Sequence, residues 1–181
     1  MKVLPTALSE VLLLEPRVFR DTRGWLFESF NRREFAAATG VDLEFVQDNH
    51  SYSTRNVLRG LHYQLRQPQG KLVRVIAGEI YDVAVDLRRS SRHFGCWIGT
   101  RMSARDHGMA WIPPGFAHAF LVLSEAAEVL YKVTDYYAPG HERCLLWNDP
   151  QLGIAWPLEG MPLLSAKDAA GASLAQAEVF P

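Results

Sequence analysis

The chain has 181 residues, with 19 Lys and Arg against 20 Asp and Glu, a formal net charge of -1, and 48% hydrophobic residues. That apolar fraction excludes a disordered chain, and the length lets a single domain over 1–181 bury a core without disulfides or a structural metal. The near-neutral balance excludes a general nucleic-acid binder, which needs a basic excess against phosphates, but leaves room for a local basic pocket around a small anion.

No apolar run approaches the roughly 18 residues that would span a bilayer. The first 16 residues carry one Lys and a short apolar stretch broken by Glu10 and Glu15, which makes a poor signal peptide. Cys96 and Cys144 are the only cysteines, and neither belongs to a CxxC pair. One disulfide stays open, but nothing suggests a zinc site or a disulfide scaffold. The expectation is a soluble cytoplasmic protein with no membrane or nucleic-acid partner.

Short apolar segments dominate the chain in order. Strands are expected at 11–19 and 25–30, and a short helix at 31–40, opened by a capping box at Asn31 and Glu34 and stopped by Gly40. Further strands are expected at 43–46, 57–63, 71–76, 80–87, 94–102, 110–112, 119–123 and 128–137. A second helix should start at Ser165 and run into the Ala-rich stretch beyond Asp168. Period-two alternation puts Tyr81, Val83, Val85 and Leu87 on one face of their strand and Asp82 and Asp86 on the other. Gly- and Pro-rich turns separate the segments. The fold class expected is all-β, a sandwich or barrel with a few short helices.

Three stretches, 47–64, 69–75 and 111–120, hold dense polar and titratable residues inside what otherwise read as strands with a buried face. An inward polar group costs on the order of 1–3 kcal/mol unless it finds a partner. Such residues are therefore expected to serve a ligand or a hydrogen-bond network. Pro113, Gly115 and His118 have the spacing of the second motif of a cupin, a small jelly-roll barrel with an internal pocket. A metal-binding cupin would add His-x-His and then a Glu. Here the matching place reads His62-Tyr63-Gln64, and Lys71, which repels a cation, stands where an acidic ligand is wanted. No metal is expected. On strands, Lys71, Val73 and Val75 share a face, as do Val129, Tyr131 and Val133. Arg59 and His62, three apart, fall on opposite faces of an ideal strand, unless Gly60 permits a bulge.

Taken jointly, DTRGWLFESF at 21–30, FVQDNH at 45–50, LRGLH at 58–62, QGKLV at 69–73, WIPPGFAH at 111–118 and SAKD at 165–168 closely resemble the dTDP-4-dehydrorhamnose 3,5-epimerase family. The resemblance implies a cupin-type jelly-roll barrel. It also implies cofactor-free inversion of C3 and C5 of dTDP-4-dehydro-6-deoxy-D-glucose in dTDP-L-rhamnose synthesis. His62 would be the base, paired with Asp168, although Asp168 also stands at a helix-capping position. Lys71 would stabilise the enolate and Tyr131 would be the acid.

For the rest of the nucleotide sugar, the resemblance implies Arg23, Arg59 and Lys167 at the diphosphate and Tyr137 stacked on thymine. Glu28, Gln47, Asp48, Asn49, His118 and Glu142 fall at other binding positions. It further implies a homodimer in which an N-terminal segment, carrying Arg23 and Glu28, reaches the partner's site. The rival readings are an epimerase or ketoisomerase acting at one carbon, a metal-dependent cupin enzyme, and a non-catalytic nucleotide-sugar binding module.

Overall fold

A computed structural model describes residues 1–181. In chain order the elements are β1 (Lys2–Pro5), β2 (Leu12–Glu15), β3 (Phe19–Asp21), β4 (Gly24–Leu26), α1 (Arg32–Thr39), β5 (Gln47–Thr54), β6 (Leu58–Gln64) and β7 (Lys71–Ala77). There follow β8 (Glu79–Asp86), β9 (Trp97–Ser103), β10 (Met109–Ile112), β11 (Phe116–Val122), β12 (Ala126–Val133), a 3-10 turn at Pro139–His141, β13 (Glu142–Cys144) and α2 (Ala166–Ala169). A six-stranded sheet in the order β1-β2-β10-β7-β12-β5 faces a five-stranded sheet in the order β13-β6-β11-β8-β9, and β3 and β4 form a separate hairpin. This is a cupin-type jelly roll with antiparallel pairing between its strands.

Side chains from both sheets meet between them. Val73, Val75 and Val129 of one pack with Ile80, Ala84, Phe116 and Phe120 of the other. The outer faces are covered as well. Val83, Val85, Leu87, Leu61 and Ala119 face away from the barrel and are sealed by Leu145, Leu152, Leu174 and Ala177 from the C-terminal segment. On the other side, Leu72, Met109 and Trp111 are covered by Phe35 of α1, with Phe30 and Phe45 beside it. Strands buried on both faces read as near-continuous apolar runs, as β7, β8 and β11 do. The alternation in β8 is as expected, but its Asp82 face is the interior one.

Helix α1 has the expected ends. The Asn31 side chain accepts from the backbone N–H groups of Arg33 and Glu34, and Gly40 closes the helix at φ 73°, a left-handed conformation that Gly adopts at little cost.

Several boundaries differ from expectation. Residues 11–19 form two short strands, because Pro16 interrupts the ladder. The strand expected at 25–30 stops at Leu26, and the one expected to run to 137 stops at Val133. Residues 43–46 form no strand; the next strand, β5, begins at Gln47 and was not expected. The short strands β1 and β13 had no signal of their own. The Ala-rich stretch leaves the helix after Ala169. Gly171 passes so close to the backbone of Leu145 that a Cβ there would lie 2.5 Å from its carbonyl, and Ala172 pairs with Leu145 instead.

Candidate active site

One end of the barrel opens into a cavity of about 460 Å³, lined from both sheets and from the chain after β12. From the six-stranded sheet come Gln47, Asn49 and Ser51 of β5, Lys71 of β7 and Tyr131 of β12. From the five-stranded sheet come Arg59, His62 and Gln64 of β6 and His118 and Phe120 of β11. Tyr63, Gln69, Tyr137, Glu142, Ser165, Lys167 and Asp168 complete the wall.

A bulge in β6 brings Arg59 and His62 to the same face. His62 lies opposite His118 and Arg59 opposite Phe120, so Gly60 and Leu61 together face Ala119. Gly60 has φ 110°, and a Cβ on it would sit 2.4 Å from the His118 carbonyl oxygen. Only glycine fits on both counts. The parity that separates residues three apart is thereby broken.

His62 Nε2 lies 2.6 Å from Asp168 Oδ1. The contact is off the ring N–H direction, and Nε2, buried from solvent, makes no directed hydrogen bond. Asp168 is only 3% exposed. Its position is set by α2: Ser165 caps the helix by accepting from the Asp168 backbone N–H at 3.1 Å, and the Ser165 hydroxyl donates to Asp168 Oδ2 at 2.8 Å. Capping therefore falls to Ser165, and the Asp168 carboxylate is left to face His62. Burial alone would raise the Asp168 pKa, but His62, Ser165 and the Gly60 N–H outweigh it and hold the carboxyl below its usual range.

Lys71 is buried, and its ammonium donates to the His62 carbonyl at 3.1 Å. Burial pushes its pKa down to about 8, a shift that Asp82 and Glu142 partly oppose. Tyr131 projects inward from the opposite sheet to His62, beside Asn49 of β5 and Val73 of β7. Burial raises its phenol pKa against the pull of Arg59. Deeper in the barrel, His118 Nε2 contacts Asp82 Oδ2 at 2.7 Å, with both residues buried.

At the mouth, the Tyr137 hydroxyl donates to Glu142 Oε2 at 2.7 Å, and Glu142 also pairs with Lys167. Burial would raise the Glu142 pKa, but Lys167 and Tyr137 hold it below the usual range. The Arg59 Nε–H donates to Ser53 Oγ at 2.8 Å, which fixes the guanidinium along the cavity wall. Burial pushes the Cys144 thiol, next to Asp168, up to about 12, so it is no nucleophile at neutral pH.

Eleven of the residues singled out from the sequence line this cavity: His62, Lys71, Tyr131, Asp168, Gln47, Asn49, Arg59, His118, Tyr137, Glu142 and Lys167. Three do not. Asp48 points outward and pairs with Lys132 at 2.9 Å, because strand parity opposes it to Gln47 and Asn49. Arg23 is exposed on the β3–β4 hairpin and paired with Asp21, and Glu28 accepts from Asn31 beyond it. Sequence reasoning missed Ser51, Gln64, Gln69, Phe120 and Asp82. Ser51 had a signal, as the next member of the Gln47, Asn49 alternation.

A jelly-roll barrel whose polar cavity joins a His–carboxylate pair, a buried lysine and a phenol defines a cupin-type enzyme of acid–base chemistry. A family model described as dTDP-4-dehydrorhamnose 3,5-epimerase matches residues 5–176. The chain belongs to that family and is an epimerase. A Pseudomonas aeruginosa protein named dTDP-4-dehydrorhamnose 3,5-epimerase is 60% identical over 181 residues, 100% of each chain. The crystal structure of dTDP-6-deoxy-D-glucose-3,5-epimerase from Legionella pneumophila, in complex with dTDP-4-keto-L-rhamnose, superposes with a TM-score of 0.96. It is 47% identical, with 98% of this chain and 94% of that chain covered. A Streptomyces bikiniensis 3'-monoepimerase in complex with dTDP-quinovose has a TM-score of 0.89 and 35% identity, with 97% of this chain and 88% of that chain covered.

Proposed function

We propose that this chain inverts C3 and C5 of dTDP-4-dehydro-6-deoxy-D-glucose, without a cofactor, to give dTDP-4-dehydro-L-rhamnose for dTDP-L-rhamnose biosynthesis. The observation that carries this reading is the convergence of His62, Lys71, Tyr131 and Asp168 on one cavity. The C4 ketone of the sugar acidifies the hydrogens on both neighbouring carbons, so no change of oxidation state is needed. His62 takes the proton, and the C–H electron pair moves into the enolate. The Lys71 ammonium meets the enolate oxygen. Tyr131, from the facing sheet, gives a proton to the other face of the carbon; the imidazolium then releases its proton to solvent and the phenoxide takes one up, which resets both groups. Asp168 stabilises the imidazolium and holds the ring in place. The same sequence at the second carbon completes the reaction.

Arg59 and Lys167 offer the diphosphate two cations, and Tyr137 offers the base an aromatic face. Gln47, Asn49, His118 and Glu142 supply polar contacts for the sugar and thymidine. The test is incubation in deuterated water, with and without chelator. Deuterium is expected at both C3 and C5, independent of chelator. Exchange at one carbon only would reduce the protein to a mono-epimerase, the activity named for the Streptomyces bikiniensis neighbour. No exchange would overturn the catalytic reading.

The working form in this proposal is a homodimer. The β3–β4 hairpin leaves Phe19, Trp25 and Leu26 at 50%, 55% and 68% exposure, on a two-stranded ribbon of a kind that is marginal in isolation. Seated on a second copy, it would bury this surface and bring Arg23 and Glu28 to the partner's cavity. Sedimentation equilibrium at micromolar concentration should return twice the chain mass; a monomer would leave Arg23 and Glu28 without a role. The cytoplasm is the compartment this reading implies, with a nucleotide sugar as substrate and both cysteines unpaired.

A further inference from the structure

The antiparallel register sets Cys144 of β13 directly opposite His62 of β6, so the two side chains share a face beside Asp168. One ring nitrogen of His62, Cys144 Sγ and one carboxylate oxygen of Asp168 all lie within 4.8 Å of one another, and of these Asp168 Oδ1 is the oxygen nearest both His62 Nε2 and Cys144 Sγ. We propose that these three atoms form a site for Zn²⁺ that switches the enzyme off. The ligand set, one imidazole, one thiolate and one carboxylate, is one that zinc accepts, with a fourth position left for water. It shares no ligand with the metal site of a cupin that Lys71 spoils, apart from His62.

The geometry is close to what the ion requires. Around a tetrahedral zinc the donors stand about 3.3–3.6 Å apart. Here Asp168 Oδ1 is 2.6 Å from His62 Nε2 and 4.0 Å from Cys144 Sγ. The first gap must open by about 0.7–1.0 Å and the second close by about 0.4–0.7 Å, and the His62–Cys144 gap, which is no more than 4.8 Å, must settle to the same range; side-chain rotations supply such movements. The second Asp168 oxygen is already held by Ser165, so the carboxylate stays oriented. His62 Nε2 is buried and makes no directed hydrogen bond, although a carboxylate oxygen lies beside it. A cation placed between two such donors satisfies both.

Binding releases the thiol proton to solvent and forms Zn–S, Zn–N and Zn–O bonds. A neutral imidazole with metal on Nε2 carries its remaining proton on Nδ1, so the ring has no lone pair with which to accept a substrate proton. The metal also takes Asp168 out of its partnership with His62. Inhibition by this route rests on the proposed role of His62 as base; metal binding itself does not.

The experiment is titration of the full chain with Co²⁺ followed by absorption, then displacement by Zn²⁺, in parallel with Zn²⁺ inhibition of turnover. The wild type should show a near-ultraviolet thiolate-to-cobalt band and the visible bands of a tetrahedral site, all lost on adding Zn²⁺. Cys144→Ser should lose the near-ultraviolet band, keep its metal-free turnover, and need at least about tenfold more Zn²⁺ for half-inhibition. Cys144→Ala provides the same comparison if the serine variant folds poorly. Absence of the band in the wild type, or equal Zn²⁺ inhibition of wild type and variant, would overturn the site. The cobalt band reads binding whether or not the sugar is turned over, so a chain without epimerase activity would count against the proposed function alone.

Discussion

His62→Ala is expected to lower deuterium exchange at both carbons by about 10²–10⁴-fold, the range that a positioned general base contributes, and to leave dTDP affinity nearly unchanged. The two readouts separate because of where His62 sits. It lies on β6 with its ring toward Asp168, whereas the groups proposed for the nucleotide, Arg59, Lys167 and Tyr137, are held independently of the ring. Arg59 is fixed by Ser53, Lys167 by Glu142, and Tyr137 by both Glu142 and Gln47. Removing the imidazole leaves those contacts in place. Measurement of isotope exchange by NMR and of dTDP binding by calorimetry on one preparation checks the prediction. A parallel collapse of binding would make His62 a structural residue, and retained exchange would assign the base elsewhere.

Lys71→Met should separate activity from stability in opposite directions. Turnover should fall by about 10²–10³-fold, as for loss of a donor aimed at developing negative charge. Stability at neutral pH should rise. The native lysine loses its proton near pH 8, whereas in the unfolded chain it keeps it to about 10.4. Between these values the unfolded state binds more protons, so wild-type stability increases with pH across the window. Below about pH 8 the whole cost of burying the ammonium is present. A displacement from 10.5 to about 8 corresponds to about 3 kcal/mol. Methionine removes that cost but leaves the His62 carbonyl without its donor, worth about 1 kcal/mol, so the net gain should be about 2 kcal/mol. It should be greatest below pH 8 and give way, by about pH 10.5, to a small deficit of up to about 1 kcal/mol from the missing hydrogen bond. Urea unfolding of both proteins at pH 7 and pH 10.5 tests this. Equal stability at pH 7 would mean that the ammonium is solvated.

The parts of this fold that could be read from the sequence are those in which one face is apolar and the other differs from it. β12 showed its inward residues by simple alternation, β7 and β8 showed which residues share a face but not which face is interior, and α1 announced both ends through Asn31 and Gly40. β5 was invisible for a physical reason. Its inward residues, Gln47, Asn49, Ser51 and Ser53, face a polar cavity or Arg59, and its outward ones, Asp48, His50, Tyr52 and Thr54, face solvent. No hydrophobic periodicity survives when both environments are polar. The same strand explains the misplacement of Asp48, which only its phase could have assigned.

The site was legible as residue types but not as geometry. Strand parity alone separates Arg59 from His62, and only the bulge at Gly60 reunites them. Asp168 read equally well as a cap or as a partner for His62, and the contacts that decide it run through Ser165, more than 100 residues along the chain from His62. Asp82 alternated correctly but gave no sign that its face was the interior one, because the opposite face of β8 is apolar and covered too.

The C-terminal segment that seals the outer face of the five-stranded sheet also carries Asp168. Its docking is secured by the Tyr63 hydroxyl donating to the Glu178 carbonyl at 2.6 Å and by the Phe180 N–H donating to the Leu87 carbonyl at 3.1 Å. A chain with both sheets assembled and this segment still free would have its histidine and lysine but no carboxylate to hold the imidazolium. On the proposed mechanism, competence to deprotonate the sugar therefore depends on docking of this segment, so the packing that seals the sheet and the chemistry are coupled.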